Sequence, residues 1–294
     1  MVATAAILWA INGVVSKVIL ASGISSTELA EVRSTGAFVG LAAAVAVTRP
    51  RTLRVAVHEL PILAVFGIAG LALVQWLYFV AIHRLPVGIA LVIQYLAPVL
   101  VALWARYAYH ERVRRRIWGA LALSLAGLAL VVEIWRGFEL NAVGVAASLG
   151  AALAYAFYVL LAERRVRHRD TLSLLCLGFL FASLLWAVVQ PWWHFPSHAV
   201  AADVSLLGRL GGWHLPVWSL MAWVVVLGTI VPFALLVAAL HHIPATRAGI
   251  VAELEPVAAT VVAFAWLDET LAGVQLVGAA AVIAAIFLAQ TART

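Results

Sequence analysis

Ten apolar runs, each roughly 18–23 residues long, leave this chain few folds to choose from. They cover about 2–21, 27–47, 60–82, 86–108, 115–132, 141–162, 172–193, 217–239, 245–266 and 271–290. A helix needs about 20 residues to cross a hydrocarbon core about 30 Å thick, so each run suits one span. Strands are not expected. A membrane β-barrel alternates polar and apolar residues in segments of about ten, and runs such as GALALSLAGLALVV do not alternate. Composition agrees: only 11% of the 294 residues are charged, against roughly 25% in a soluble domain. The expected fold is an all-α integral membrane protein with ten transmembrane helices. The run at 2–21 holds Trp9 and Asn12 and reads as the first span, not a leader.

The net charge of +6 would suggest nucleic acid in a soluble protein. Here the arginines lie between spans, so no nucleic-acid partner is expected. Arg49, Arg51, Arg54, Arg112, Arg114, Arg115, Arg116, Arg164, Arg165, Arg167, Arg169 and Arg293 fall on one side, with both termini. Only Arg84, Arg136 and Arg209 fall on the other. Positive charge accumulates on the cytoplasmic side. The chain is therefore expected in the cell (plasma or inner) membrane with both termini in the cytoplasm. The long connection at about 194–216 is then outside, and its apolar and aromatic residues are expected to lie on the bilayer surface.

Enzyme and cofactor signatures are missing from the sequence. There is no G-x-x-x-x-G-K-[ST] phosphate loop and no H-E-x-x-H pair. His194 and His198 are four apart, but Pro196 interrupts any helix there, and no metal site is expected. Cys176 is the single cysteine and cannot form an internal disulfide.

The chain repeats itself. At an offset of 158 residues, Ala81/Ala239, His83/His241, Pro86/Pro244, Ala90/Ala248, Leu96/Leu254, Pro98/Pro256, Val99/Val257, Ala105/Ala263 and Glu111/Glu269 are identical. A weaker echo sets Trp9-Ala10 against Tyr155-Ala156. Two five-helix halves follow, 1–133 and 141–290. Five is odd, so the second half is expected to enter the membrane inverted. Inverted repeats recur in secondary transporters, where rocking of one half on the other exposes a midplane site to each side in turn.

The pattern Leu-Pro…Ala…Pro-Val…Glu at the end of each fourth helix resembles the EamA family of the drug/metabolite transporter superfamily. Glu255-Pro256-Val257, Asp268-Glu269, Trp9…Gly13…Lys17 and Arg33 are similar to that family's pattern. Ala97-Pro98 and the extra carboxylate Glu253 depart from it. The resemblance implies a secondary transporter, an exporter of amino acids, other small metabolites or drug-like solutes. A facilitative channel or lipid scramblase is the alternative. The expected partners are a small-molecule substrate, the bilayer and, as candidate coupling ion, the proton; the oligomeric state stays open.

Ionisable groups in a span cost about 2.5–3.5 kcal/mol each on insertion scales, so they face a cavity or a partner. Lys17, Glu31, Arg33, Arg106, Arg247, Glu253 and Glu255 are the candidates, of which Arg106 and Arg247 lie near the cytoplasmic ends and are expected to snorkel. Glu253 and Glu255 are two apart and so point about 200° away from each other. Glu253 lies three residues before Pro256, which deprives the Ala252 carbonyl of its helical donor. Glu253 is therefore expected in the cavity as proton carrier, a role that a carboxyl in apolar surroundings can fill. Glu255 is expected to pair with a neighbouring helix. Arg33 and Lys17 are expected to serve coupling or structure, and Pro98 and Pro256 to kink helices four and nine. Trp9, Asn12, Gln75, Trp76, Tyr78, Gln94, Tyr95, Tyr155 and Tyr158 complete the expected solute cavity.

Overall fold

A computed structural model describes residues 1–82, 84–85, 87–136, 141–166, 168–268 and 272–291. His83, Pro86, Arg167, Glu269 and Arg293 lie outside the described residues. Among the described residues, ten helices are long and apolar enough to cross a membrane. They are span 1 (Val2–Ala21), span 2 (Ser26–Thr48), span 3 (Val57–Ala81), span 4 (Ile89–Tyr107), span 5 (Arg115–Val132), span 6 (Ala142–Arg165), span 7 (Thr171–Val189), span 8 (Val217–Ala239), span 9 (Ala245–Leu267) and span 10 (Gly273–Thr291).

Local sequence sets several boundaries. The first N–H groups of a helix have no partner within it. Ser25 and Glu28 close a capping box at span 2, with the Ser25 N–H donating to Glu28 at 2.7 Å. Asn141 accepts from the Gly144 N–H at 3.1 Å to start span 6, and Asp170 accepts from the Ser173 N–H at 3.2 Å to start span 7. Large apolar side chains such as Val39, Trp76, Leu153, Val188 and Phe287 are exposed. In water they would oppose folding; against lipid they are matched to their solvent.

Two kinds of irregularity recur in both halves. Span 3 contains π-helical turns at Phe66–Ala72 and span 8 at Val226–Ile230. At the offset of 158 residues their last residues, Ala72 and Ile230, coincide. Span 4 breaks between Val87–Gln94 and Ala97–Tyr107, and span 9 between Ala245–Ala252 and Leu254–Leu267. Gln94 and Ala252 coincide at the same offset. Pro98 stands in the first turn of its second piece, where its missing N–H costs nothing.

Packing follows the same exchange. Span 1 packs on spans 8 and 9, and span 6 on spans 3 and 4. Span 2 packs on span 8, and span 7 on span 3. Spans 2 and 7 pack on each other, as do spans 5 and 10. Swapping the halves maps each of these pairings onto another or, for 2–7 and 5–10, onto itself, as a pseudo-two-fold axis requires. Spans 5 and 10 touch through glycines: a Cβ on Gly127 would lie 2.8 Å from the Gly278 carbonyl oxygen, and one on Gly278 would lie 2.6 Å from that of Gly127. Small residues let backbones approach this closely where lipid supplies no hydrophobic drive.

The connection before span 8 departs from the expectation of no strands. Asp203–Ser205 and His214–Pro216 form a two-stranded antiparallel hairpin. Trp192, Trp193 and Trp213 are exposed around it. The hairpin is tied to span 9: Trp266 Nε1 donates to the Leu206 carbonyl at 2.8 Å, and Arg209 Nε to Asp268 Oδ1 at 2.8 Å.

Candidate solute cavity

A cavity of about 630 Å³ lies between the halves. Trp9, Asn12, Ser16 and Lys17 reach it from span 1, Arg33 from span 2, and Gln75 and Tyr78 from span 3. Gln94 and Tyr95 reach it from span 4, Tyr155 and Tyr158 from span 6, and Phe233 from span 8. Glu255, Pro256 and Thr260 reach it from span 9, and Gln275 from span 10. Lys17, Leu20, Val132, Ala263 and Gln275 extend the lining toward the bundle end where span 1 finishes and span 10 begins. On the opposite side aromatic rings pack together. Phe233 meets Trp9 at 5.4 Å, Phe179 at 5.6 Å and Tyr158 at 5.8 Å, edge to face, and Tyr158 meets Phe66 at 5.5 Å. Such edge-to-face pairs add about 0.5–1.5 kcal/mol each beyond burial.

The π-helical turn of span 8 holds the cation. Arg33 Nε donates to Thr229 Oγ1 at 3.2 Å, and Nη2 donates to the Gly228 carbonyl at 3.5 Å. The Thr229 hydroxyl donates in turn to the Val224 carbonyl at 2.8 Å. A Cβ at position 228 would lie 2.0 Å from Asn12 Oδ1, so a side chain there would displace Asn12. One backbone irregularity thus seats both Arg33 and Asn12. π-helical turns occur disproportionately at functional sites.

The break in span 9 holds the anion. The Tyr95 hydroxyl lies 2.6 Å from Glu255 Oε2, to which it donates, and 3.3 Å from the Ala252 carbonyl oxygen. That carbonyl is the one Pro256 leaves without an N–H partner. The Tyr95 hydroxyl of span 4 thus stands between Glu255 and the defect in span 9, and the two broken helices meet where both are broken.

The carboxylates are placed the other way round from expectation. Glu255 lines the cavity, whereas Glu253 does not and is fully buried. Glu253 accepts from the Ser124 hydroxyl of span 5. The two face opposite ways, as their spacing requires, but Glu253 is the residue at the break itself. Its direction is set by the junction and by Ser124, not by continuing either helix. Trp76 also lies outside the cavity: it is 44% exposed on the lipid face, about 100° round the helix from Gln75. Trp9, Asn12, Gln75, Tyr78, Gln94, Tyr95, Tyr155 and Tyr158 all line the cavity, with Arg33, Lys17 and Glu255. Pro256 lines it and Pro98 does not; Pro98 instead packs on Gly249 of span 9. Glu31 is buried away from the lining, with neither carboxyl oxygen bonded to protein.

Sequence reasoning missed Ser16, Phe233, Thr260 and Gln275 in the lining, and Thr229 and Ser124 behind it. Thr260 and Gln275 are polar residues in otherwise apolar runs, which was a usable signal; Phe233 offers none. Several lining atoms have no partner in the protein: Asn12 Oδ1, Ser16 Oγ, both polar atoms of Gln75, Gln94 Oε1 and the Tyr158 hydroxyl. Buried polar atoms are nearly always bonded, so these are set for a solute or water. Among the described residues no three His, Cys, Asp or Glu side chains gather as a metal site.

Ten membrane-crossing helices around a polar cavity define an integral membrane transporter. The chain belongs to the EamA-like transporter family, whose model matches residues 1–133 and 142–291. It is 27% identical over 266 residues to the threonine/homoserine exporter RhtA of Escherichia coli (strain K12), covering 90% of this chain and 80% of that protein. It is 30% identical over 228 residues to an uncharacterized transporter of Archaeoglobus fulgidus, covering 75% of this chain and 74% of that one. A solved crystal structure superposes with a TM-score of 0.77 over 97% of this chain and 94% of its own, at 19% identity, and shares the fold.

Proposed function

We propose that this chain exports small polar metabolites, amino acids among them, by alternating access. The halves 1–133 and 141–290 rock about the cavity, in the plasma or inner membrane, with both termini in the cytoplasm. The observation that carries this reading is the cavity between the halves, lined by Arg33 and Glu255 and walled on one side by packed rings. Rings packed on one side of the cavity favour a carrier over a channel or scramblase. Similarity to an exporter of threonine and homoserine supports the direction and the solute class. The proton is the candidate coupling ion, and Glu255, which lines the cavity where Glu253 does not, is the candidate carboxyl to exchange it.

Flux of labelled amino acids, drugs and nucleosides in proteoliposomes, with and without a pH gradient, tests the reading. The expected result is saturable amino-acid flux, accelerated by unlabelled solute on the far side. Flux that rises linearly with concentration and ignores counter-solute would make the protein a channel. Cysteine labelling of the termini from each side tests the orientation.

A further inference from the structure

Arg33 and Glu255 face one cavity from spans 2 and 9 and carry opposite charges. Each lies within range of the other's field, yet among the described residues no ion pair joins them. Both are only partly used by the protein. Arg33 spends Nε and Nη2 on Thr229 and Gly228, and among the described residues its Nη1 donors have no acceptor. Glu255 accepts from Tyr95 through Oε2, and among the described residues its Oε1 has no donor. Gln75, Gln94 and Asn12 line the same cavity and hold unpartnered buried polar atoms.

Charge logic narrows the ligand. A solute with only a cation would satisfy Glu255 and leave Arg33 facing it unpaired. One with only an anion would do the reverse. A charge held between helices without a counter-charge is penalised. A solute with both charges on one small skeleton satisfies both. The planar guanidinium suits a carboxylate, and an ammonium offers three donors to a carboxyl oxygen and the amide oxygens beside it. The aromatic wall of Trp9, Phe233 and Tyr158 then receives the apolar part of the solute.

We propose that Arg33 and Glu255 form a two-ended charge slot that selects solutes bearing both a carboxylate and an ammonium group, with the carboxylate at Arg33. This rests on the amino-acid reading above and names the residues that read the solute.

The test is ligand-dependent thermal stabilisation of the purified full chain in detergent, which needs no turnover. The probes are threonine, threonine methyl ester, which lacks the anion, and N-acetylthreonine, which lacks the cation. Wild type should bind threonine at least about tenfold more tightly than either derivative. In Arg33→Gln the ester should become equal to threonine, while N-acetylthreonine stays poor. In Glu255→Gln the N-acetyl derivative should gain on threonine, while the ester stays poor. Arg33→Lys keeps the charge and should still reject the ester. If Arg33→Gln is not monodisperse, Arg33→Met, which also removes the charge, takes its place with the same expectation. If wild type binds threonine no better than the two derivatives, or if Arg33→Gln and Glu255→Gln keep the wild-type order, the slot is wrong and the amino-acid reading stands. If wild type binds none of the three, the amino-acid reading fails and the slot falls with it.

Discussion

Tyr95 of the first half and Glu255 of the second meet across the pseudo-two-fold axis, hydroxyl to carboxyl, at 2.6 Å. The same hydroxyl lies 3.3 Å from the Ala252 carbonyl that Pro256 orphans. One hydroxyl proton thus faces two acceptors, one able to change its protonation state and one fixed. When Glu255 is ionised, Tyr95 donates to it. When Glu255 is protonated, it can donate to Tyr95 and release the tyrosine proton to the carbonyl. Protonation at the cavity is in this way linked to the break in span 9.

Tyr95→Phe removes that donor and leaves a buried carboxyl and a carbonyl unsatisfied. The expected loss is about 1–3 kcal/mol of stability, with flux reduced more than expression. Thermal unfolding in detergent, run beside proteoliposome flux, measures both. A variant as stable and active as wild type would remove the junction from the mechanism.

Glu253 and Glu255 should separate cleanly. Glu255→Gln is expected to abolish the response of flux to a pH gradient. Glu253→Gln, which keeps an acceptor for Ser124, should leave that response intact. Ser124→Ala should instead cost about 1–3 kcal/mol of stability by stranding the buried Glu253. Loss of the pH response in Glu253→Gln alone would return the coupling role to Glu253.

Gly228→Ala should be inactive yet folded. The new methyl would lie 2.0 Å from Asn12 Oδ1, so Asn12 must swing away and disturb the anchor of Arg33. Flux should fall at least about tenfold, a barrier change near 1.4 kcal/mol, with little loss of helicity by circular dichroism.

The glycines between spans 5 and 10 should tolerate no side chain. Gly278→Val would drive atoms into the Gly127 carbonyl and the Val131 backbone nitrogen. A cost of about 1–3 kcal/mol is expected from overpacking. Gly119→Ala is the control, because its Cβ would sit 3.8 Å from Leu288 in ordinary contact. It should be neutral or stabilising by about 0.5–1 kcal/mol, since alanine suits a helix better than glycine. Melting temperatures of the pair decide it.

Span positions were legible because lipid imposes length and polarity on every run, so Val2–Ala21 and Arg115–Val132 could be read directly. The weak points of spans 4 and 9 were legible through Pro98 and Pro256, and the orphaned Ala252 carbonyl through the same proline. Azimuth was not. Gln75 and Trp76 share a depth but sit on different faces, and depth was all that the run revealed. Glu253 was misassigned because closeness to the gap left by Pro256 does not fix which way a side chain points, and Ser124 of span 5 holds it instead. The π-helical turns left no local mark: Gly228 and Thr229 look like ordinary small residues in an apolar run, and only their contacts with Asn12 and Arg33 expose their role.

The hairpin before span 8 is fastened to the far end of span 9 by Trp266 and Arg209. Whatever shifts the piece Leu254–Leu267 must therefore carry the hairpin along. Gly212 at its tip has open space around it, so a dye or spin label placed there would act as a pointer read from the water. It would report the movement of Glu255's helix without touching the cavity.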